Sequence, residues 1–422
     1  MAKEKTDSNR FVFWQGSARL YADKFTQEVE CRAVLANSTD KDLRIEVTHE
    51  FGFTAFELVD RDQIWIEIPG VVEHIGLLLQ QASVNSRGNA VLTFGLKRSP
   101  LWITKSLELH TGRAMLINFG EYSVHTPTYP RFELKGSGWA ACFIPISERT
   151  LAVSETMHSE DYRITHQVEF AREDGSLFTP SEAQSFLGDL SLYLSFCRGQ
   201  WVAVSFTVAF DIDGHLGLEQ WGTGRVSSWR EPDSWLDSRQ GNPIVELYSA
   251  FCSKLVDESW RDVLSHVVYW FTRAETNNVG PDGACILLQA TLERFAWHLL
   301  VRERKAISEK GFRDLAASDQ LRLMLNLLSV PIEVPAGLCK LVSLAKSKGQ
   351  DGPEVFTFIR NRLVHPPKPS ATREELPYYE AYCLAKWYVE LAVLSVCGYR
   401  GDYNNRTLST RWVGQVEKVP WA

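Results

Sequence analysis

No two of the eight cysteines in this 422-residue chain form a C-x-x-C pair. Cys31, Cys142, Cys197, Cys252, Cys285, Cys339, Cys383 and Cys397 stand singly, mostly among apolar neighbours. That scatter excludes a zinc ribbon and offers no disulfide framework, so a reducing cytoplasm is the expected location. The sequons at Asn37 and Asn405 are then chance matches. The opening MAKEKTDSNR is charged and lacks the apolar core of a secretory signal. The most apolar late stretch, YYEAYCLAKWYVELAVLSVCGY, carries Glu380, Lys386 and Glu390, which mark a core helix and not a membrane span. There is no Walker loop, G-x-S-x-G element, dinucleotide fingerprint, internal repeat or low-complexity segment. No dense cluster of His, Asp and Glu calls for a metal, and no cofactor is expected. DIDG (211–214) resembles a piece of a calcium loop but lacks its third acidic position and its terminal Glu.

What the chain does have is apolar material: 45% hydrophobic and 12% aromatic residues, enough for two or three domains at this length. The net charge of −7 excludes a general nucleic-acid binder. The charge is unevenly shared, however, because residues 1–240 hold 23 Lys and Arg against 32 Asp and Glu. From Leu300 to Glu375 basic residues outnumber acidic ones, among them Arg302, Arg304, Lys340, Lys346, Lys348, Arg360 and Arg362. Such an excess describes either a solvated helical surface or a local basic groove.

Up to about residue 235 the periodicity is two. FVFWQGSARLY, EVECRAVLAN, LRIEVTHEF, QIWIEIPG, AVLTFGL, RAMLINFG and WAACFIPI are short, β-branched or aromatic, and set between turn residues. They predict an antiparallel, sandwich-like β domain. One helical interruption is expected at 181–199, and WVAVSFTVAF and HLGLEQWGTGRV read as further strand and hairpin. Trp201, Trp221, Trp229 and Trp235 are assigned to its interior. SSWREPDSWLDSRQGNP (227–243) supplies a boundary, giving domains 1–235 and 236–422. Beyond it the spacing predicts helices at about 243–275, 282–305, 317–329, 335–347, 353–365 and 377–397. The fold class is therefore α+β: a β-rich domain followed by an all-α bundle.

FTFIRNRLVHPPKP (356–369) concentrates the chemistry. Pro353 suits a first helical turn, Val355, Ile359 and Leu363 make one apolar stripe, and Pro366 ends the helix at His365. Asn361 and His365 project from one face and Arg360 lies on its edge. An imidazole at a helix C-terminus sits where its two protonation states are both accessible near neutral pH. In GACILLQATLERFAWHLLV, Glu293 lies among Ala290, Ala296 and Trp297, so its carboxylate either takes a partner, the motif arginine or a residue on a neighbouring turn, or reaches solvent at the edge of the stripe.

RNRLVH, late in a helical region, with an Asn after the Arg and a Glu in an earlier apolar helix, resembles the Arg-x4-6-His signature of the HEPN superfamily. The resemblance covers roughly residues 245–400. A β-rich domain ahead of such a bundle is similar in architecture to ApeA-type anti-phage proteins. The resemblance implies a metal-independent endoribonuclease whose motif is doubled in a homodimer or higher oligomer, with RNA as partner. It assigns His365 as general acid or base, Arg360 as the phosphate ligand, Asn361 as the orienting amide and Glu293 as a supporting carboxylate. Arg362 departs from the family spacing and is expected to contact substrate. The β domain would then sense a phage-derived or protein trigger, with no membrane involved. The alternative is a non-catalytic HEPN-like dimerisation, binding or scaffold protein, separable from the first by whether RNA is cut.

Overall fold

The computed structural model describes residues 11–22, 25–35, 43–49, 63–69, 74–84, 90–97, 100–120, 122–124, 131–146, 162, 164–230, 234–275, 279–365, 375–408 and 412–422. They form two compact units, one of residues 1–118, 145–185 and 203–230, the other of 119–144, 186–202 and 231–422.

In the first unit β1 (Phe11–Ala22), β2 (Phe25–Leu35), β3 (Leu43–His49), β4 (Ile64–Glu67), β5 (Ile75–Val84) and β6 (Ala90–Leu96) close into a barrel in the order β1-β2-β3-β6-β5-β4. Every described pairing is antiparallel. Alternate residues fill it: Leu20, Ile45, Val47, Ile64, Ile66, Leu92 and Phe94 are buried. Closure leaves no free edge, which a sandwich would retain. The period-two pattern is common to both, so the sandwich-like expectation gives way to a barrel.

Seven more strands follow: β7 (Leu101–Thr104), β8 (Thr111–Ile117), β9 (Phe132–Gly136), β10 (Trp139–Pro145), β11 (Ile164–Arg172), β12 (Ala203–Phe210) and β13 (Leu216–Trp221). Within the first unit five of them run β7-β13-β12-β8-β11. The DIDG segment is the turn between β12 and β13. The Asp211 carboxylate accepts from the backbone N–H groups of Asp213 and His215, and Gly214 takes φ 84°. Trp221 and Trp229 are buried in this unit as expected, whereas the buried Trp235 and the half-buried Trp201 belong to the second unit.

The second unit is mainly helical and contains the β9–β10 hairpin, whose turn Ser137-Gly138 has positive φ at both residues. After α1 (Pro180–Arg198) come α2 (Asn242–Val256), α3 (Glu258–Ala274) and α4 (Gly280–Trp297), which continues as a π turn over His298–Glu303. Next are α5 (Glu309–Asp314), α6 (Ala317–Leu327), α7 (Cys339–Lys348), α8 (Gly352–Val364) and α9 (Tyr378–Val396). The short strands β14 (Asp402–Tyr403) and β15 (Glu417–Lys418) pair near the end of the chain.

Two expectations change here. The helix predicted at 243–275 is two, because Asp257 leaves the helical region (φ −76°, ψ 115°) and its carboxylate caps Ser259 N–H. The single cut at 235/236 is replaced by an interleaved division. Phe186, Tyr193 and Phe196 of α1 stack on Trp139, Tyr248, Phe251, Trp235 and Phe271, drawing 186–202 into the helical unit.

α4 packs on α3, α6, α8 and α9. Among the described residues, Gly280–Glu303 is long and apolar enough to cross a membrane, yet it is mostly buried within the protein. α9 is buried from Ala381 to Leu394, including Lys386 and Glu390, two of the three charges that marked it as a core helix; Glu380, in its first turn, is half-buried. Lys386 pairs with Glu275, and Glu390 accepts from Arg406 Nε (2.9 Å) and from the backbone N–H of Trp235 (3.0 Å). All eight cysteines are free.

Candidate functional site

α8 is fixed firmly at its start and released at its end. The Asp351 carboxylate caps Glu354 N–H (2.9 Å) and takes Arg322 Nε (2.6 Å), while Pro353 occupies the first turn. Asp351, Glu354 and Asp319 hold the Arg322 guanidinium and push its pKa above the ordinary arginine value, the hydrogen bond to Asp351 contributing most. Gly352 N–H donates to the Ile332 carbonyl at 2.8 Å. A Cβ at Gly352 would lie 2.1 Å from Tyr388 Oη and 2.7 Å from that carbonyl, so this close approach requires glycine. At the other end His365 N–H closes the last turn on Asn361 O (2.7 Å), and His365 itself is no longer helical at φ −122°, ψ 81°.

Of the anticipated apolar stripe Val355 and Ile359 are buried and Leu363 is half-buried; Phe356 is buried beside them, and Asn361 and His365 are exposed on the solvent side. Arg360 is half-buried. Its Nη1 donates to Asn361 Oδ1 (3.1 Å), while its Nε is buried without an acceptor among the described residues. No carboxylate lies within ion-pair distance of Arg360 among those residues. A desolvated guanidinium edge with no acceptor is an unfavourable state that an anion would relieve. No hydrogen bond joins Arg360 to His365, which lies about 140° further round the helix at 3.6 residues per turn.

Glu293 takes the other of its two anticipated partners. Its carboxylate accepts from Gln289 Nε2 at 2.7 Å, one turn earlier on α4, and forms no ion pair with Arg360. Gln289 is fully buried, and its Oε1 has no donor among the described residues. An i, i+4 amide satisfies the carboxylate without a second helix. Arg362 is seated on Phe358, its Cζ 5.3 Å from the ring centroid, and Lys348 Nζ lies 4.4 Å from the same centroid. Phe358 and Gln289 were not singled out by sequence, and Lys348 was noted there only as one of the basic residues between Leu300 and Glu375. For Phe358 the signal was available, since it precedes Asn361 and Arg362 by three and four residues.

The other polar features lie elsewhere. His298, in the π turn, is buried with Trp260 edge-on at 4.5 Å, and burial lowers its pKa. Asp211, Asp213 and His215 are the one grouping of metal-ligand type among the described residues; it is solvent-facing, and Asp211 is engaged by backbone N–H groups.

Residues 123–232 match the family model of the YopA central domain, and residues 257–418 match that of the YopA C-terminal domain. The second match contains Glu293 and the whole 360–365 segment. The chain is similar to the SPbeta prophage-derived uncharacterized protein YopA of Bacillus subtilis (strain 168), with 27% identity over 376 residues. That alignment covers 85% of this chain and 82% of the relative. No solved structure matches the chain.

Proposed function

We propose that this protein is a HEPN-type, metal-independent endoribonuclease acting as a toxin or anti-phage effector, its site completed by the same helix of a second copy. The observation that carries this is Arg360: half-buried, without a carboxylate among the described residues, its Nε lacking an acceptor and its Nη1 linked to Asn361. A phosphodiester oxygen supplies the missing acceptor, and the guanidinium neutralises charge as the phosphorane develops. The exposed imidazole of His365 takes the proton of the ribose 2′-OH or returns one to the departing 5′ oxygen. The O2′–P bond forms as the P–O5′ bond breaks, leaving a 2′,3′-cyclic phosphate and a 5′-hydroxyl. Two copies supply one imidazole for each proton transfer, which accounts for the wide angle between Arg360 and His365 on one helix. A relative of prophage origin fits a role in conflict between phage and host, with the β-rich unit receiving the trigger.

In EDTA the purified protein is expected to cut single-stranded RNA, and Arg360→Ala or His365→Ala to slow it roughly 10²- to 10⁴-fold. Equal cleavage by wild type and both variants would remove the motif from the reaction. The scaffold reading draws on Glu293, which is satisfied by Gln289 and offers Arg360 nothing. It predicts intact RNA throughout.

A further inference from the structure

Phe358, Asn361, Arg362 and His365 stand at i, i+3, i+4 and i+7 of α8 and its cap, so they share one face of the helix. Asn361 and His365 are exposed, and Phe358 and Arg362 are half-buried. The buried arc of Val355, Phe356 and Ile359 is bordered by Arg362, seven residues after Val355, and lies away from Asn361 and His365. Arg360 sits at the margin of that buried arc with its Nε enclosed. The arginine on the same face as His365 is therefore Arg362, although Arg360 has the family spacing.

Arg362 makes no hydrogen bond or ion pair among the described residues. Its guanidinium is instead positioned by the Phe358 ring, 5.3 Å from the centroid, with Lys348 from the last turn of α7 placing a second positive charge 4.4 Å from that centroid. An aromatic ring holds a guanidinium in place without consuming its N–H donors. Arg261 is compensated by Asp189 (2.8 Å) and Arg322 by Asp351 (2.6 Å), whereas Arg302, like Arg362, rests on an aromatic ring, that of Trp297.

We propose that Arg362, seated on Phe358 and reinforced by Lys348, binds a backbone phosphate of single-stranded RNA other than the one held by Arg360. This subsite anchors the strand by uniform binding and leaves the chemistry to Arg360 and His365. It rests on the ribonuclease reading and extends it to residues outside the Arg-x4-His spacing.

The test uses the full-length His365→Ala protein, a labelled single-stranded RNA, and fluorescence anisotropy over a series of potassium chloride concentrations. Adding Arg362→Ala is expected to weaken binding and to make the slope of log K against log salt shallower by about 0.7, one single-strand phosphate contact. Arg362→Lys keeps the charge and restores the slope. Phe358→Leu keeps both the charge and an apolar side chain; it leaves the slope unchanged and weakens binding about 2- to 5-fold. In the His365 background the same changes raise KM with little change in kcat, the mark of a contact made equally in ground and transition states. Thermal melting beside the parent protein separates these effects from loss of folding. An active enzyme whose slope and KM are unaffected by Arg362→Ala overturns this inference alone. A wild type that neither binds nor cuts RNA overturns the ribonuclease reading, and this inference with it.

Discussion

Glu390 and Arg406 place a carboxylate and a guanidinium in the interior, with the Trp235 N–H as a third member. Arg406→Met would leave the Glu390 charge without its cation, and breaking such a buried pair from one side costs about 3–5 kcal/mol. Chemical denaturation should register that loss, and Arg406→Met combined with Glu390→Leu should recover much of it. His166 gives a second residue-scale prediction. Its ring is buried with Nδ1 3.1 Å from Thr165 Oγ1, and burial pushes its pKa down to about 4. The folded state therefore favours neutral imidazole. The stabilisation is present above the unfolded value of about 6.5 and is lost as pH falls from there through the folded value. The melting temperature should drop as the protein is acidified below neutrality, and less steeply in His166→Gln. A sequence shows that Glu390 is a charged residue in apolar company. It cannot show which distant groups meet that carboxylate, because Arg406 and Trp235 are brought to Glu390 only by tertiary packing.

At the scale of elements, periodicity located the helices well because each carries a broad apolar stripe and most end in turn residues. α6, α8 and α9 lie within a residue or two of their expected bounds. The misreadings came from local chemistry that periodicity does not register. Asp257 interrupts one long apolar pattern with a cap, and His298–Glu303 widens the last turn of α4 into π geometry. The candidate site was legible where it is local: Arg360, Asn361 and His365 belong to one segment, and their order on α8 follows from helical spacing. The Glu293 partnership depended on the approach of two helices and was not legible. The pose of α8 depends on Gly352, whose Cα side is closed by the Ile332 carbonyl and the buried Tyr388. Gly352→Ala should destabilise the protein by about 1–3 kcal/mol through overpacking, measured as a lowered denaturation midpoint. A neutral or stabilising result would mean that α8 is free to shift.

For the whole molecule, composition and the switch from period two to period 3.6 gave the α+β class and the order of β-rich and helical regions. They did not give the closed barrel, since inward and outward residues alternate alike in a barrel and a sandwich. Nor did they give the interleaving of units, which arises because the aromatic face of α1 is covered by Trp235, Tyr248, Phe251 and Phe271. The functional account rests on one assertion, that the uncompensated arginines and the exposed imidazole at the end of α8 exist to engage an RNA backbone. The most direct measurement is sequencing of RNA termini from cells expressing the wild-type chain or its His365→Ala variant. The account predicts new cyclic-phosphate and 5′-hydroxyl termini with the wild type and their disappearance with the variant. Indistinguishable termini in the two cultures would contradict it.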